Sequence, residues 1–234
     1  MEVSGVRLGP SVAHKEKRLR ALLGERDPAD PGLREAVEDA QLLGSLELDG
    51  FSCTWEEVRS ARGGGTPQPA IRGLREARTA VPAGAPFSVA ALLTWHRAVT
   101  GASAGFRRAE HARPEGPPPA PAEFIPDRLE VLEQWLGFES GHELGPVQQG
   151  ALVLARLVDI MPFEEANGRV SRLAASHLME RGGMRPPILA GADRPRLEAC
   201  LQAAFRLETQ PLMTLLQEAS ERALDVMIQT LEKG

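Results

Sequence analysis

Met161-Pro162-Phe163-Glu164-Glu165-Ala166-Asn167-Gly168-Arg169-Val170-Ser171-Arg172 is unlike the rest of the chain. Immediately before it, Pro146 opens a helix with Val147, Ala151, Leu154, Ala155 and Val158 on one stripe. Leu152, Val153, Leu157 and Ile160 fall off that stripe and are apolar too, so this helix is expected at the centre of the fold. A second helix begins near Gly168. The twelve residues therefore form a turn between a buried helix and the exposed start of the next. A helix start offers unpaired N–H groups and partial positive charge, both suited to an anion. Asn167-Gly168 permits the tight turn that presents them, and Arg169 and Arg172, three apart, project from nearly one face. Two guanidinium forks at such a point make a phosphate clamp, and Glu165 is placed to hold a magnesium ion against the same phosphates. The plainer alternative is an Arg–Glu pairing across a solvated helix start.

Working outward, helices of ordinary length alternate with Gly/Pro punctuation. Asp30-Pro31 caps a helix bearing Leu33, Val37, Ala40 and Leu43, which Asp49-Gly50 ends. A short helix from Trp55 to Ala61 follows, with Trp55 as an anchor for this N-terminal arm, and Gly63 to Pro69 is a break. Leu74 and Ala77 mark another helix; Ser88 caps one carrying Ala91, Leu92, Trp95 and Val99, stopped by Gly101. Glu110 to Pro121 has too much proline for a helix interior and is expected as a loop or short hairpin. Helices from Pro126, from Gly168 to Arg181, from Arg194 to Leu207 and from Pro211 complete an all-α architecture. The expected division is an arm over 1–69, a core over 70–190 and C-terminal helices over 191–234.

The 234 residues carry a net charge of −5, which argues against general nucleic-acid binding. The longest apolar stretch, Gly150 to Val158, is broken by Arg156 and is too short for a membrane span. With no apolar leader and only Cys53 and Cys200, a cytoplasmic location is expected. The five histidines lack zinc-ligand spacing. His14, His111 and His142 are expected to be exposed, and His96 and His177 to pack.

The central segment resembles the signature of Fic (Fido) domain proteins, His-Pro-Phe-x-(Asp/Glu)-(Gly/Ala)-Asn-Gly-Arg-x-x-Arg, at every fixed position but the first, where Met161 stands. Leu92-Leu93-Thr94-Trp95-His96 is similar to an early helix of that family, and Gly105-Phe106-Arg107 to the Gly-x-Arg before its substrate flap. Ser45-Leu46-Glu47-Leu48-Asp49-Gly50 resembles the inhibitory motif (Ser/Thr)-x-x-x-Glu-(Gly/Asn) of one Fic class, with Asp49 one methylene shorter than the usual glutamate. The resemblance implies a helical bundle with a small β-hairpin flap. Its expected ligands are ATP with Mg2+, and an unidentified protein or small-molecule target at the flap. Fic enzymes typically move AMP from ATP onto a protein hydroxyl, with the signature histidine as general base. The resemblance assigns Asn167, Gly168, Arg169 and Arg172 to the phosphates and Glu165 to the metal. It makes Ser45, Asp49 and Gly50 an inhibitory element whose acid pairs with the second arginine.

A thioether cannot accept the hydroxyl proton, so ordinary AMP transfer is expected to be weak or lost. Leu154, where many relatives carry a further histidine, is a second departure. Three readings stay open: a nucleotide-binding protein acting through a partner; an enzyme with altered chemistry in which Glu164, Asp49 or Glu47 activates water or another nucleophile; and a structural module. Dimerising relatives leave a homo-oligomer open.

Overall fold

The computed structural model describes residues 10–24, 30–63, 67–102, 105–113, 116–138 and 143–233. Residues 64–66 of the expected break, residues 114 and 115 of the proline-rich stretch, and His142 lie outside them. Among the described residues the chain forms α1 (Pro10–Leu23), α2 (Pro31–Leu48), α3 (Trp55–Ser60), α4 (Pro69–Ala80), α5 (Val89–Thr100), α6 (Ile125–Gly137), α7 (Pro146–Ile160), α8 (Asn167–Arg181), α9 (Arg194–Phe205) and α10 (Gln210–Lys233). Short 3-10 turns precede α6 and α9. No strand occurs among the described residues, so the expected hairpin flap is corrected to an irregular loop. Proline cannot supply ladder N–H groups, and Pro117, Pro118, Pro119 and Pro121 leave the returning arm of a hairpin with too few donors.

Local chemistry sets the helix ends. The Asp30 carboxylate accepts the Gly32 N–H at 2.7 Å, and Ser88 Oγ accepts the Ala91 N–H at 3.0 Å. Thr54 and Glu57 form a reciprocal capping box at α3. Gly50 and Gly101 leave α2 and α5 in the left-handed region, φ +83° and +71°.

α7 is the axis of the fold. Its Val153 and Leu157 face a core shared with Leu46, Ile71, Leu92, Trp95, Leu129 and Phe163. Its Ala151 and Leu154 face a second core with Met179, Leu212, Leu215 and Leu216. Burial on both sides is the physical reason its apolar residues exceed one stripe. α2 joins both cores through Leu42, Leu46 and Leu48, so the helix bearing the inhibitory-type motif packs as an interior element. It approaches residues 189–190 so closely that a β-carbon on Gly44 would lie 2.0 Å from the Leu189 carbonyl oxygen. α1, absent from the sequence reading, packs Val12, Leu19 and Leu23 against Leu224 and Ile228 of α10.

Asp193, at the start of α9, accepts from both terminal nitrogens of Arg222 and from the Ala190 N–H. Burial acts to raise this carboxyl, but those hydrogen bonds hold it below its ordinary value. A depressed folded value stabilises the fold above the unfolded value, about 4, and that contribution fades as pH falls through the lower folded value. Asp193→Asn is therefore expected to cost about 1 kcal/mol at neutral pH, allowing for solvent screening, and to flatten the acid slope. Thermal unfolding between about pH 2.5 and 7 measures both. Gly44→Ala is expected to lose at least about 2 kcal/mol through overpacking, read from denaturant midpoints.

Candidate functional site

Three elements meet at the signature segment: the end of α2, the turn between α7 and α8, and the first two turns of α8. The turn begins with Met161 in the left-handed region (φ 48°, ψ 64°), where its N–H still caps α7 on Leu157 O. It ends with Ala166 likewise left-handed, φ 62°. A side chain in this region costs about 1–2 kcal/mol, so the turn is held by its surroundings. Asn167 braces it from within, its Oδ1 accepting the Phe163 N–H at 2.9 Å and its Nδ2 donating to Phe163 O at 2.8 Å. The Asn167 amide is thereby used inside the turn, where it sets the shape of the backbone. Phe163 is fully buried and stacks on the His96 ring, centroids 3.9 Å apart. Burial lowers the pKa of that imidazole, with Glu165 acting in the opposite direction.

Arg107, 2% exposed, fixes the turn from the other side. Its Nε donates to Met161 O at 2.7 Å, and its terminal nitrogens donate to Ala109 O, Ala120 O and Ile160 O. Its backbone N–H donates to Pro162 O at 2.9 Å. One guanidinium thus ties both ends of the proline-rich loop to the turn, a role the sequence reading did not assign.

The first turn of α8 has no side-chain cap, which leaves its N–H groups and positive end available to an anion. Asp49 lies beside this helix start and is held there by the two arginine side chains. Its Oδ2 accepts from Arg169 Nε at 3.0 Å and its Oδ1 from Arg172 Nη2 at 2.6 Å. Arg172 also donates to Ser45 Oγ at 2.9 Å and Ser45 O at 2.7 Å. One turn earlier on α2, Gln41 donates to Ser176 Oγ at 2.7 Å. Gln41, Ser45 and Asp49 are successive steps of four along one face, meeting Ser176, Arg172 and Arg169 on the antiparallel α8. A β-carbon on Gly168 would lie 2.9 Å from both Asp49 Oδ1 and Arg172 Nη1, so a side chain there would push the two ends of this ion pair aside. Burial pushes the Arg172 guanidinium down from its ordinary value, while Asp49 acts to raise it. Arg169 lies over the Phe51 ring, 4.9 Å to the centroid, which completes its enclosure.

The remaining acids point elsewhere. Glu165 is exposed, and no hydrogen bond or ion pair engages its carboxylate among the described residues, so its oxygens suit a hard cation. Glu47 turns away from the arginines and accepts the Gly191 N–H at 3.0 Å. Glu164 accepts from the Arg108 N–H at 3.3 Å and lies 3.0 Å from His111 Nε2. These two contacts hold Glu164 below the usual carboxylate range, the imidazole having the larger effect. His111, expected to be exposed, is half-buried by this pairing. His177 packs as expected, its Nε2 2.7 Å from Ala85 O. Trp55 stays 37% exposed, and Phe51 takes the contact with the site instead. Phe51 and the partnership of His111 with Glu164 are the features of the site that sequence reasoning passed over. Their only sequence signal was proximity to motif residues.

Residues 86–179 match the Fic/DOC family. Protein adenylyltransferase Fic of Drosophila mojavensis is 32% identical over 111 residues, which are 47% of this chain and 22% of that protein. The chain therefore covers less than a quarter of that relative's length. Among solved structures, a Fic domain containing signaling protein from Bacteroides thetaiotaomicron superposes with a TM-score of 0.79 at 17% identity, covering 95% of this chain and 98% of that one. Fic-1 from C. elegans superposes with a TM-score of 0.76 at 21% identity, covering 95% and 74%. The segment that matches in sequence is the segment that builds the arginine-lined turn, and the surrounding helices follow the same fold: the chain carries a Fic domain over residues 86–179.

Proposed function

We propose that this chain is a nucleotide-binding Fic-domain protein related to AMP transferases, held in an inhibited state by Asp49, with ordinary AMP transfer weakened by methionine at position 161. The observation that carries the reading is the carboxylate of Asp49 bridging Arg169 and Arg172 at the uncapped start of α8. A carboxylate held by two guanidinium groups beside a helix N-terminus occupies the position that suits a phosphate. A triphosphate would compete for the same donors. Glu165 would hold Mg2+ from the exposed side of the turn, and the ion would neutralise charge on the phosphates when bound. Arg169 and Arg172 would bind and orient the phosphate chain, while the turn braced by Asn167 and Arg107 would keep the α8 donors in place. Met161 supplies no base, so a general-base factor of about 10²–10⁴ in rate is missing from residue 161. A protein or small-molecule target would approach beside the loop that Arg107 anchors.

Calorimetry with Mg2+ and ATP or ADP tests the reading. Asp49→Ala is expected to raise affinity at least tenfold by removing the internal competitor, and Arg169→Ala to abolish binding. An Arg169→Ala effect on stability alone, with no nucleotide bound by any variant, would favour a structural module and overturn the proposal. Without ligand, Asp49→Ala is expected to cost about 2–3 kcal/mol, because it leaves two largely buried cations without their counter-ion. Inorganic pyrophosphate is expected to raise the Tm of Asp49→Ala more than that of the native chain, read by thermal unfolding. Met161→His, combined with Asp49→Ala, is expected to increase AMP transfer, including self-modification, by about 10²-fold or more.

A further inference from the structure

Residues 105–113 are anchored against the turn by Arg107, so what they carry stands at a fixed place beside the turn that Met161 opens. They carry His111, whose Nε2 lies 3.0 Å from Glu164 Oε2. The other oxygen of Glu164 is occupied by the Arg108 N–H, so the carboxylate is held at both ends of one short stretch of loop. Glu164 follows Met161 by three residues in the same turn. The His111 side chain keeps 22% of its surface exposed, enough for its remaining nitrogen to meet an incoming group.

A carboxylate accepts hydrogen bonds and donates none when ionised, so the proton of neutral His111 sits on Nε2, and Nδ1 carries the lone pair. This is the arrangement by which a carboxylate orients an imidazole for proton abstraction in acyl and phosphoryl chemistry. The other described histidines are not so placed. His96 lies buried against Phe163, His177 contacts Ala85 O, and His14 is on α1, far along the chain from the signature segment. Given the reading that the site binds ATP, we propose that His111, oriented by Glu164, is the proton acceptor for nucleotidyl transfer in this chain, in place of residue 161. The acceptor's O–H bond breaks and its proton passes to His111 Nδ1. The acceptor oxygen bonds to the α-phosphorus as the bond from that phosphorus to the bridging oxygen of the β-phosphate breaks. The electron pair leaves with pyrophosphate, which Arg169 and Arg172 hold. With water as acceptor, the products are AMP and pyrophosphate.

The experiment uses the full chain carrying Asp49→Ala, supplied with Mg2+ and ATP labelled at the α-phosphate. It reads AMP release and self-modification beside ATP affinity by calorimetry. His111→Ala is expected to lower both products about 100-fold, and Glu164→Gln about tenfold, with ATP affinity within twofold. His111→Gln, which keeps a donor to Glu164 but no basic nitrogen, is expected to match His111→Ala and serves if the alanine variant folds poorly. Adding Met161→His is expected to raise the rate and make His111→Ala neutral within twofold. An unchanged rate in His111→Ala would overturn the proposal, as would an equal fold-loss with either residue at 161. A chain that binds ATP but forms neither product overturns this inference and leaves the nucleotide-binding reading intact, whereas a chain that binds no ATP overturns that reading first.

Discussion

Two guanidinium groups cannot lie side by side in a largely buried place without an anion between them. Arg169 and Arg172 are 8% and 11% exposed at the side chain, and the positive end of α8 adds to their field. Asp49 meets that demand from an unusual position, since an acid at a helix C-terminus is opposed by its own helix dipole. The contact that is unfavourable for α2 is favourable for α8, and the arginines decide the balance. Gly168, Ser45 and Phe51 follow from it: a residue with no side chain beneath the carboxylate, a hydroxyl for the leftover guanidinium donor, and a ring over the leftover guanidinium face.

The same helix limits how the contact can be released. Leu42 and Leu46 of α2 are buried in the main core, and Gly44 lies against the 189–190 backbone. Lifting α2 as a rigid body would expose that core and cost several kcal/mol at the usual value per buried apolar side chain. Rotation of the Asp49 side chain, or unwinding of the last turn before the left-handed Gly50, breaks the ion pairs and leaves the core intact. The polar seam of Gln41, Ser45 and Asp49 is therefore a graded contact on a fixed helix.

Most helices were legible because their signals are local. Asp30, Ser88 and Gly101 mark ends through bonds to residues two to four away and Pro146 through its fixed φ at the first helical position, and the all-round apolar pattern of α7 follows from its two cores. α1 was missed because its buried residues, Val12, Leu19 and Leu23, are separated by charged ones and find their partners on α10. The expected hairpin failed on a countable deficit of N–H groups. At the site, the turn and its arginines were visible as a pattern of types. The meeting of Asp49 with Arg169, 120 residues later, depends on how closely two helices cross. The His111–Glu164 pair spans 53 residues and depends on where Arg107 seats the loop, which no local spacing encodes.

Arg107 has a consequence for divergence. Its guanidinium is neutralised by backbone carbonyls, which every residue type supplies, and its attachment points lie at the stem of the loop, at Ala109 and Ala120. Between those stem points the further ties are His111 to Glu164 and Arg113 to the carbonyls of Val158 and Asp159. Apart from these two side chains, sequence there can drift, lengthen or fill with proline while the architecture beneath stays in register. A scaffold of this kind can exchange what it recognises without relearning how to fold.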